Sequence, residues 1–345
     1  MTYQSVDIRR FGGSEVLELV THDTIPEPGP GEVRVRVLAA GTGFTDTFIR
    51  RGRYPGVKGP FPITLGYEAV GVVDRVGEGV TSLWEGQAVA DLCITGGYTQ
   101  YAIRPAERLV VVPDGIDPAV AVCVPLAYMT AYQMLTRCCT LRAGATILVV
   151  GASGTVGTAL LDLARHLGLR AIGTASAANA GVIERYGARA IDYRAGDFMR
   201  AVRTLAPAGV AAAFDAIGGG HFARSFACLA ARGVLVGYGS QTMATGGEGV
   251  AAAAIGLARL KMWGALPFVF GGRRGVWYAI NDYRAAHPAH FAEDMGALFA
   301  LIAQGAISPV VVDRLPLSAA RAVHERIDAG GLGGKIVLLP WGSGS

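Results

Sequence analysis

Residues 151–157 read Gly-Ala-Ser-Gly-Thr-Val-Gly, between an uncharged, branched run at 146–150 and an apolar-periodic segment at 159–167. This order predicts a strand, a tight turn and a helix. Glycine lets the backbone pass close to a pyrophosphate, and the amides at the start of the helix face the phosphates. The segment therefore predicts a dinucleotide site.

A glycine pattern alone is weak in a chain with 49 glycines, because a tight turn in any parallel sheet has the same appearance. The residues that follow favour the dinucleotide site. Strand-like runs separated by helical patterns occur at 170–174, 190–192, 210–214 and 233–237. Such alternation predicts an α/β fold with a doubly wound parallel sheet.

The composition describes a soluble globular protein. A length of 345 residues is sufficient for two domains, with 51% hydrophobic and 17% charged residues. The formal net charge of +4 is modest, and no long run of Lys or Arg occurs, so we expect no nucleic-acid partner.

The cysteines and the apolar runs predict a cytoplasmic protein. Five cysteines without CxxC spacing favour neither a disulfide framework nor a zinc knuckle. Residues 1–10 are charged and have no apolar core of signal-peptide length. The uncharged run 118–136 approaches membrane-spanning length, but Pro125 and polar residues interrupt it, so we expect a buried helix and no membrane insertion.

The first part of the chain is predicted to be mainly β. A hairpin pattern at 5–20 is followed by strand patterns at 33–37, 69–73 and 109–112. Between these, the glycine-rich segment 41–62 carries several groups capable of catalysis, and loops on rigid scaffolds commonly carry sites. They are Asp46, Arg50, Arg51, Arg53 and Tyr54. A solvated surface turn is the alternative interpretation.

The C-terminal part returns to strands and amphipathic helices. Residues 263–270 are apolar and aromatic, and the pattern leaves an outer strand, a pocket wall and a subunit contact open. Helices are predicted at 292–303 and 317–328, and a short strand at 310–312. A strand at 335–339 is predicted to rejoin the first domain.

Nearly the whole chain resembles the medium-chain dehydrogenase/reductase superfamily, specifically its zinc-free quinone oxidoreductase (zeta-crystallin-like) branch. Several motifs agree in order with that branch. They are Gly12-Gly13-Ser14-Glu15-Val16-Leu17, residues 46–55 (Asp-Thr-Phe-Ile-Arg-Arg-Gly-Arg-Tyr-Pro), Gly66-Tyr67-Glu68-Ala69-Val70-Gly71, the glycine turn, Ile191-Asp192-Tyr193, Phe214-Asp215-Ala216-Ile217-Gly218 and Gly334-Lys335-Ile336-Val337-Leu338.

The resemblance implies a Rossmann domain with a doubly wound parallel sheet, inserted into a GroES-like, mainly β catalytic domain, and a homodimer. We predict the first catalytic part at 1–124, the Rossmann domain at 125–265, catalytic and dimer-contact elements at 266–340, and an added tail at 341–345. The resemblance also implies a set of residues that bind NADP. They are Phe44, Thr130, Gly151, Ser153, Gly154, Thr155, Val156, Gly157, Thr174, Ser176, Tyr193, Ala216, Ile217, Tyr238, Gly239, Ser240, Phe268 and Lys335.

The residues at the superfamily's zinc positions predict an enzyme without a metal. Zinc-dependent members have Cys, His and a further Cys or similar ligand where this chain has Gly43, Tyr67 and Leu126. These side chains offer neither thiolate nor imidazole to zinc. Glu68 is expected to hydrogen-bond a loop. His287 and His290 have helical spacing for two ligands, but Pro288 lies between them and no third ligand is evident.

The resemblance implies hydride transfer from NADPH to a small molecule, either a quinone or an alkene conjugated to a carbonyl. The branch usually has Asn and Tyr where this chain has Gly43 and Phe48, so two polar contacts to a carbonyl are missing. Tyr54, with Tyr67 as a second candidate, is the predicted hydrogen-bond donor to the carbonyl oxygen. Packing is the alternative role of Tyr67. The alternative functions are alcohol oxidation and an NADPH-binding scaffold or vesicle- or membrane-associated protein of the same fold with little turnover.

The end of the second Rossmann strand predicts a preference for NADPH over NADH. The segment Thr174-Ala175-Ser176 has no acid to hold a free ribose 2′-hydroxyl. Ser176 and Tyr193 match positions that bind the 2′-phosphate in the family, and Arg194 adds a nearby charge. Ala180 stands where relatives often have Lys, so we expect a weaker preference than theirs.

Overall fold

A computed structural model describes residues 1–239 and 250–342 of the chain. The chain divides into two units. The first comprises residues 1–127 and 292–345, and the second comprises residues 128–291. The N-terminal boundary lies close to the predicted residue 124. The second boundary lies 26 residues after the predicted 265, because the intervening residues include a strand of the second unit's sheet.

The first unit contains a seven-stranded sheet and a three-stranded sheet. Its strands are β1 (Tyr3–Ile8), β2 (Glu18–His22), β3 (Glu32–Gly41), β4 (Ile63–Thr64), β5 (Glu68–Val76), β6 (Ala88–Asp91), β7 (Tyr101–Pro105), β8 (Val110–Val111), β15 (Val311–Pro316) and β16 (Lys335–Leu339). Its helices include α1 (Phe44–Arg50), α2 (Pro118–Ala121) and α11 (Ala320–Ala329), and α10 (Pro288–Ala303) crosses the boundary between the units.

Strand β3 organises the larger sheet. Val33, Val35 and Val37 alternate with arginines, and all three valines are buried in one apolar cluster. The period of two therefore places one face of the strand in the core. Strand β16 pairs antiparallel with β3, with Val337 opposite Gly41, so the C-terminal strand rejoins the first unit as predicted.

The second unit is a doubly wound sheet of six parallel strands in the order β11-β10-β9-β12-β13-β14, as predicted. The strands are β9 (Thr146–Val149), β10 (Arg170–Ala175), β11 (Arg189–Asp192), β12 (Val210–Asp215), β13 (Leu229–Gly237) and β14 (Arg274–Trp277). The helices are α3 (Met129–Thr136), α4 (Thr155–His166), α5 (Ala180–Glu184), α6 (Phe198–Leu205), α7 (His221–Ala227), α8 (Val250–Ala265) and α9 (Ile280–Ala286).

The segment whose structure the sequence left open, 263–270, forms the end of α8 and a short 3-10 helix, Pro267–Phe270. The outer strand of the sheet is β14, which follows it. The apolar run 118–136 is helical and is the one described stretch long and apolar enough to cross a membrane. It is 78% buried, as predicted for a core helix.

Trp341 packs on the first unit, although residues 341–345 were predicted to be a tail. Its indole Nε1 donates to the carbonyl of Val37 at 2.7 Å, and its ring meets Tyr101 edge-on at 5.4 Å. Residue 341 therefore belongs to the folded unit.

Candidate active site

The glycine turn forms as predicted between β9 and α4. The amide of Gly151 donates to the hydroxyl of Thr174 at 3.1 Å, and the amide of Ala152 donates to the carbonyl of Thr174 at 2.9 Å. Thr174 is buried beneath the turn. Its role in this structure is therefore to hold the turn against the neighbouring strand β10.

The backbone of the turn fits a pyrophosphate. Gly151 has a φ of 69°, which favours glycine, and a Cβ built on it would meet no atom within 4 Å. A Cβ on Gly157 would lie 2.6 Å from the carbonyl oxygen of Gly151, so only glycine permits the close contact between α4 and the turn. Ser153, Thr155 and Val156 are half-buried around the start of α4, whose first amides have no partner within the helix.

The residues predicted to bind the 2′-phosphate lie together. Parallel pairing places Ala175 of β10 beside Asp192 of β11, so Ser176 and Tyr193 follow adjacent strand ends. Tyr193 is 49% exposed, and the guanidinium of Arg194 lies 5.5 Å from the centre of its ring. The sequence analysis missed Asn179, whose amide donates to the hydroxyl of Ser176 at 3.2 Å. Asn179 follows Ser176 by three residues, and this spacing could have indicated that the two side chains meet.

The turns after β12 and β13 are also brought together. The amide of Ile217 donates to Asp215 Oδ1 at 2.8 Å, and the amide of Tyr238 donates to the carbonyl of Asp215 at 3.1 Å. A Cβ on Gly239 would lie 2.8 Å from the carbonyl oxygen of Ala216, so these two segments touch. Ser240 lies outside the described residues.

Two other predicted cofactor residues occupy different positions in the second unit. Thr130 is buried on α3, which packs against α4. Phe268 is 77% exposed in the turn before β14. Gly271 follows the 3-10 helix Pro267–Phe270, and its carbonyl accepts from the amide of Arg232, which is near the amino end of β13. The turn that carries Phe268 therefore lies at the amino ends of the strands. Dinucleotides bind at the carboxyl ends, so the structure does not bring Phe268 to the other predicted cofactor residues.

In the first unit, α1 is anchored through groups that the sequence presented as catalytic candidates. Arg50 is fully buried, and its guanidinium donates to Asp328 Oδ2 at 2.8 Å and lies 3.2 Å from His324 Nδ1. Arg51 pairs with the same Asp328 carboxylate at 2.8 Å. These contacts tie α1 to α11, so the two arginines position the helix.

Tyr54 and Tyr67 lie side by side. Their hydroxyl oxygens are 2.6 Å apart and their rings meet edge-on at 5.7 Å. Tyr67 is buried and Tyr54 is half-buried. The ring of Phe48 meets Tyr54 at 6.3 Å, and Phe44 stacks on Phe48 at 6.3 Å. Apolar rings therefore flank a pair of hydrogen-bonding hydroxyls.

A buried carboxyl group, Asp46, lies at the start of α1. Its Oδ2 accepts from the amide of Gly43 at 2.9 Å. Burial raises the pKa of Asp46 to about 7, with a further rise from the charge of Glu68. The Lys335 ammonium and the amides of Gly43 and Tyr67 oppose that rise.

Glu68 and Lys335 form a buried ion pair. The Lys335 ammonium donates to Glu68 Oε1, and the amide of Leu126 donates to Glu68 Oε2 at 2.8 Å. Leu126 lies in the π-helical turn Val124–Tyr128, so Glu68 binds a helical segment and not the predicted loop. Burial opposes the charge of the ammonium, but the Glu68 carboxylate raises the pKa of Lys335. Lys335 is 2% exposed, so its charge is committed to Glu68.

Known proteins share this sequence and fold. Residues 29–114 match the alcohol dehydrogenase GroES-like domain, and residues 186–338 match a domain described as zinc-binding dehydrogenase. A 2-haloacrylate reductase from Burkholderia sp. is 33% identical over 324 residues, covering 92% of this chain and 93% of the relative. A quinone oxidoreductase from Pseudomonas aeruginosa is also 33% identical, covering 97% and 99%.

The fold agrees with a solved structure of Escherichia coli quinone oxidoreductase complexed with NADPH. The TM-score is 0.86 and the identity 28%, over 98% of this chain and all of the other. The chain belongs to the zinc-free quinone oxidoreductase branch of the medium-chain dehydrogenase/reductase superfamily. It is an oxidoreductase.

As a member of this branch, the chain has lost the ligands of its zinc-dependent relatives at Gly43, Tyr67 and Leu126. In this structure, Gly43 and Leu126 contribute backbone amides to the carboxylates of Asp46 and Glu68. Across residues 1–239 and 250–342, no group of three or more His, Cys, Asp or Glu side chains is placed to hold a metal ion. His287 and His290 stack at 5.1 Å but have no such third ligand in that part of the chain.

Proposed function

We propose that this oxidoreductase transfers hydride from NADPH to an electron-poor carbon of a quinone or of an alkene conjugated to a carbonyl, without zinc. One NADPH and one proton are consumed, and the acceptor gains two hydrogen atoms. The names of the relatives support both acceptor classes, since one is a quinone oxidoreductase and the other reduces a haloacrylate, whose alkene is conjugated to a carboxyl group.

The observation that carries the proposal is the hydroxyl pair of Tyr54 and Tyr67. Reduction of a conjugated acceptor places negative charge on its carbonyl oxygen, and a preorganised donor stabilises that charge. A phenol remains protonated at neutral pH and is a suitable donor. Tyr54 is the more exposed member of the pair, and a hydrogen bond between the two hydroxyls polarises the outer one. We assign Tyr54 as the donor and Tyr67 as its support.

The cofactor would be held at the carboxyl ends of the parallel strands in the second unit. The glycine turn would bind the pyrophosphate through the amides at the start of α4. Ser176, Tyr193 and Arg194 would bind the 2′-phosphate, because a hydroxyl pair and a guanidinium suit a phosphate dianion. NADPH, when bound, supplies the hydride.

A panel of acceptors tests this function. NADPH oxidation is followed with small quinones, conjugated enones and haloacrylates, and with a saturated ketone as the control. Steady turnover with the conjugated acceptors and none with the ketone is expected. Tight NADPH binding without turnover across the panel would instead identify a cofactor-binding scaffold.

We also propose that the enzyme is a homodimer. Strand β14 lies at one edge of the six-stranded sheet, and an edge strand offers unpaired backbone groups to another chain. Trp277 on this strand is 38% exposed. Light scattering after gel filtration should give twice the mass of one chain, and a monomeric mass would reject the proposal.

The proposed compartment is the cytoplasm. All five cysteines are free thiols, as expected of a reducing compartment. Burial raises the pKa of Cys123 and of Cys139 to about 12, which keeps both thiols protonated at neutral pH. The apolar helix at 118–136 is mostly buried, which supports a protein without membrane insertion.

A further inference from the structure

His221, which the sequence analysis did not single out, belongs to a buried hydrogen-bonded cluster at the end of β12. Its Nδ1 lies 2.6 Å from Asp215 Oδ2, and the hydroxyl of Ser225 donates to the same oxygen at 2.6 Å. Asp215 and Ser225 have no exposed surface, whereas the side chain of His221 is 18% exposed. His221 therefore lies where the buried cluster meets the surface.

The cluster has the composition of a hydrolytic triad but the wrong geometry. Ser225 and His221 both bind one oxygen of Asp215, and their own atoms are 3.4 Å apart. A nucleophilic serine needs the imidazole as its base and must be accessible. Ser225 is fully buried and donates to the carboxylate. The cluster therefore does not have the geometry for hydrolysis. His221 and Ser225 instead hold the Asp215 carboxylate in place.

Asp215 in turn shapes the turn that follows β12. Its other oxygen, Oδ1, accepts from the amide of Ile217 at 2.8 Å and from the amide of Gly218 at 3.3 Å. An aspartate that binds the amide two residues ahead closes a local turn and sets its backbone conformation. A buried carboxylate that loses a hydrogen-bond donor is free to reorient. The conformation of Ala216 and Ile217 therefore depends on the donors to Oδ2.

The strand order shows which part of the cofactor this turn meets. The adenosine ribose of a dinucleotide lies at the end of the strand next to the glycine-turn strand, which here is β10. Strand β12 lies on the other side of β9, so its carboxyl end meets the nicotinamide half.

We propose that His221 is a positioning residue that, through Asp215, holds the Ala216–Ile217 turn in the conformation that receives the nicotinamide half of NADPH. The ring of His221 is itself held by stacking on Phe198, at 5.0 Å between centres. This inference rests on the proposed cofactor. It does not depend on which acceptor is reduced.

The test compares affinities for NADPH and for 2′-phospho-ADP-ribose, which lacks the nicotinamide. His221→Phe keeps the ring stack but removes the donor, and His221→Asn places an amide N–H near the position of Nδ1. We expect His221→Phe to weaken NADPH binding by about fivefold or more, and to leave the fragment within about twofold of wild type. His221→Asn should restore NADPH affinity to within about twofold of wild type.

A control, His166→Phe, makes the same change at an exposed histidine at the end of α4. His221→Leu gives the same test if the phenyl ring prevents folding, which thermal unfolding reports. Equal weakening of both ligands would show a general structural role and overturn the inference, as would an unchanged NADPH affinity in His221→Phe. A wild-type protein that binds NADPH more tightly than the fragment but oxidises it with no acceptor of the panel would overturn the proposed function and not this inference.

Discussion

The hydroxyl oxygens of Tyr54 and Tyr67 lie 2.6 Å apart, with Tyr67 buried and Tyr54 half-buried beside Phe48. The pair connects the segment after α1 to the start of β5. Because each hydroxyl has the other as a neighbour, removing one changes the hydrogen bonding of both. The first prediction follows from this arrangement.

Tyr54→Phe should lower turnover by roughly tenfold or more with the best acceptor and leave NADPH affinity nearly unchanged. The variant removes the proposed donor to the developing oxyanion, while solvent can still protonate the product. Steady-state kinetics and NADPH titration measure the two quantities. Tyr101→Phe is the control, because its ring packs on Trp341 and phenylalanine preserves that contact. Unchanged turnover in Tyr54→Phe would show that Tyr54 only packs.

Preference for NADPH over NADH should fall about tenfold in a Ser176→Ala, Tyr193→Phe double variant, since both hydroxyls that would bind the 2′-phosphate are removed. The ratio of kcat/KM for the two cofactors is the readout. Tyr186→Phe, in the same unit, serves as the control because its buried hydroxyl has no hydrogen-bond partner among the residues described here. A wild-type ratio at or below one would reject the 2′-phosphate site.

Activity should be independent of metal. Gly43, Tyr67 and Leu126 supply no thiolate or imidazole at the positions where zinc-dependent relatives bind the ion. Elemental analysis of the purified enzyme should find far less than one zinc per chain, and a chelator should leave turnover unchanged. Loss of activity with chelator that zinc restores would contradict the prediction.

Asp46→Asn should change how stability depends on pH. The pKa of Asp46 is raised in the folded state to about 7, so between about pH 5 and pH 7 the folded chain binds a proton that the unfolded chain has released. The wild-type free energy of unfolding therefore falls as pH rises through this window. The asparagine amide takes the place of the protonated carboxyl and carries no such dependence.

The stability of Asp46→Asn relative to wild type should rise by roughly 1 kcal/mol for each pH unit across that window. Denaturant unfolding at a series of pH values measures it. The control is Asp313→Asn, because the side chain of Asp313 is 36% exposed and its pKa is lowered, first by its hydrogen bond to Arg326. Parallel stability curves for wild type and Asp46→Asn would show that Asp46 is ionised throughout.

The sequence by itself determined the second unit's architecture and the positions of the turns that are predicted to bind the cofactor. Those features depend on local chemistry: the period of the apolar residues, the glycine at position 151, where the backbone φ is 69°, and the absence of an acidic residue after β10. It also anticipated that the last strand returns to the first unit.

Only the tertiary structure decided which polar groups meet. Lys335 lies 267 residues from Glu68 in the sequence. No local pattern predicts that its ammonium binds this carboxylate and not a cofactor. Phe268 was predicted to bind the cofactor, yet it precedes the amino end of β14, which is parallel to β13, whereas the glycine turn follows the carboxyl end of β9. Asp46 looks like a loop carboxylate in the sequence, but burial, with a further contribution from the charge of Glu68, raises its pKa to about 7. In each case the deciding quantity is distance or desolvation, which depends on residues remote in the chain.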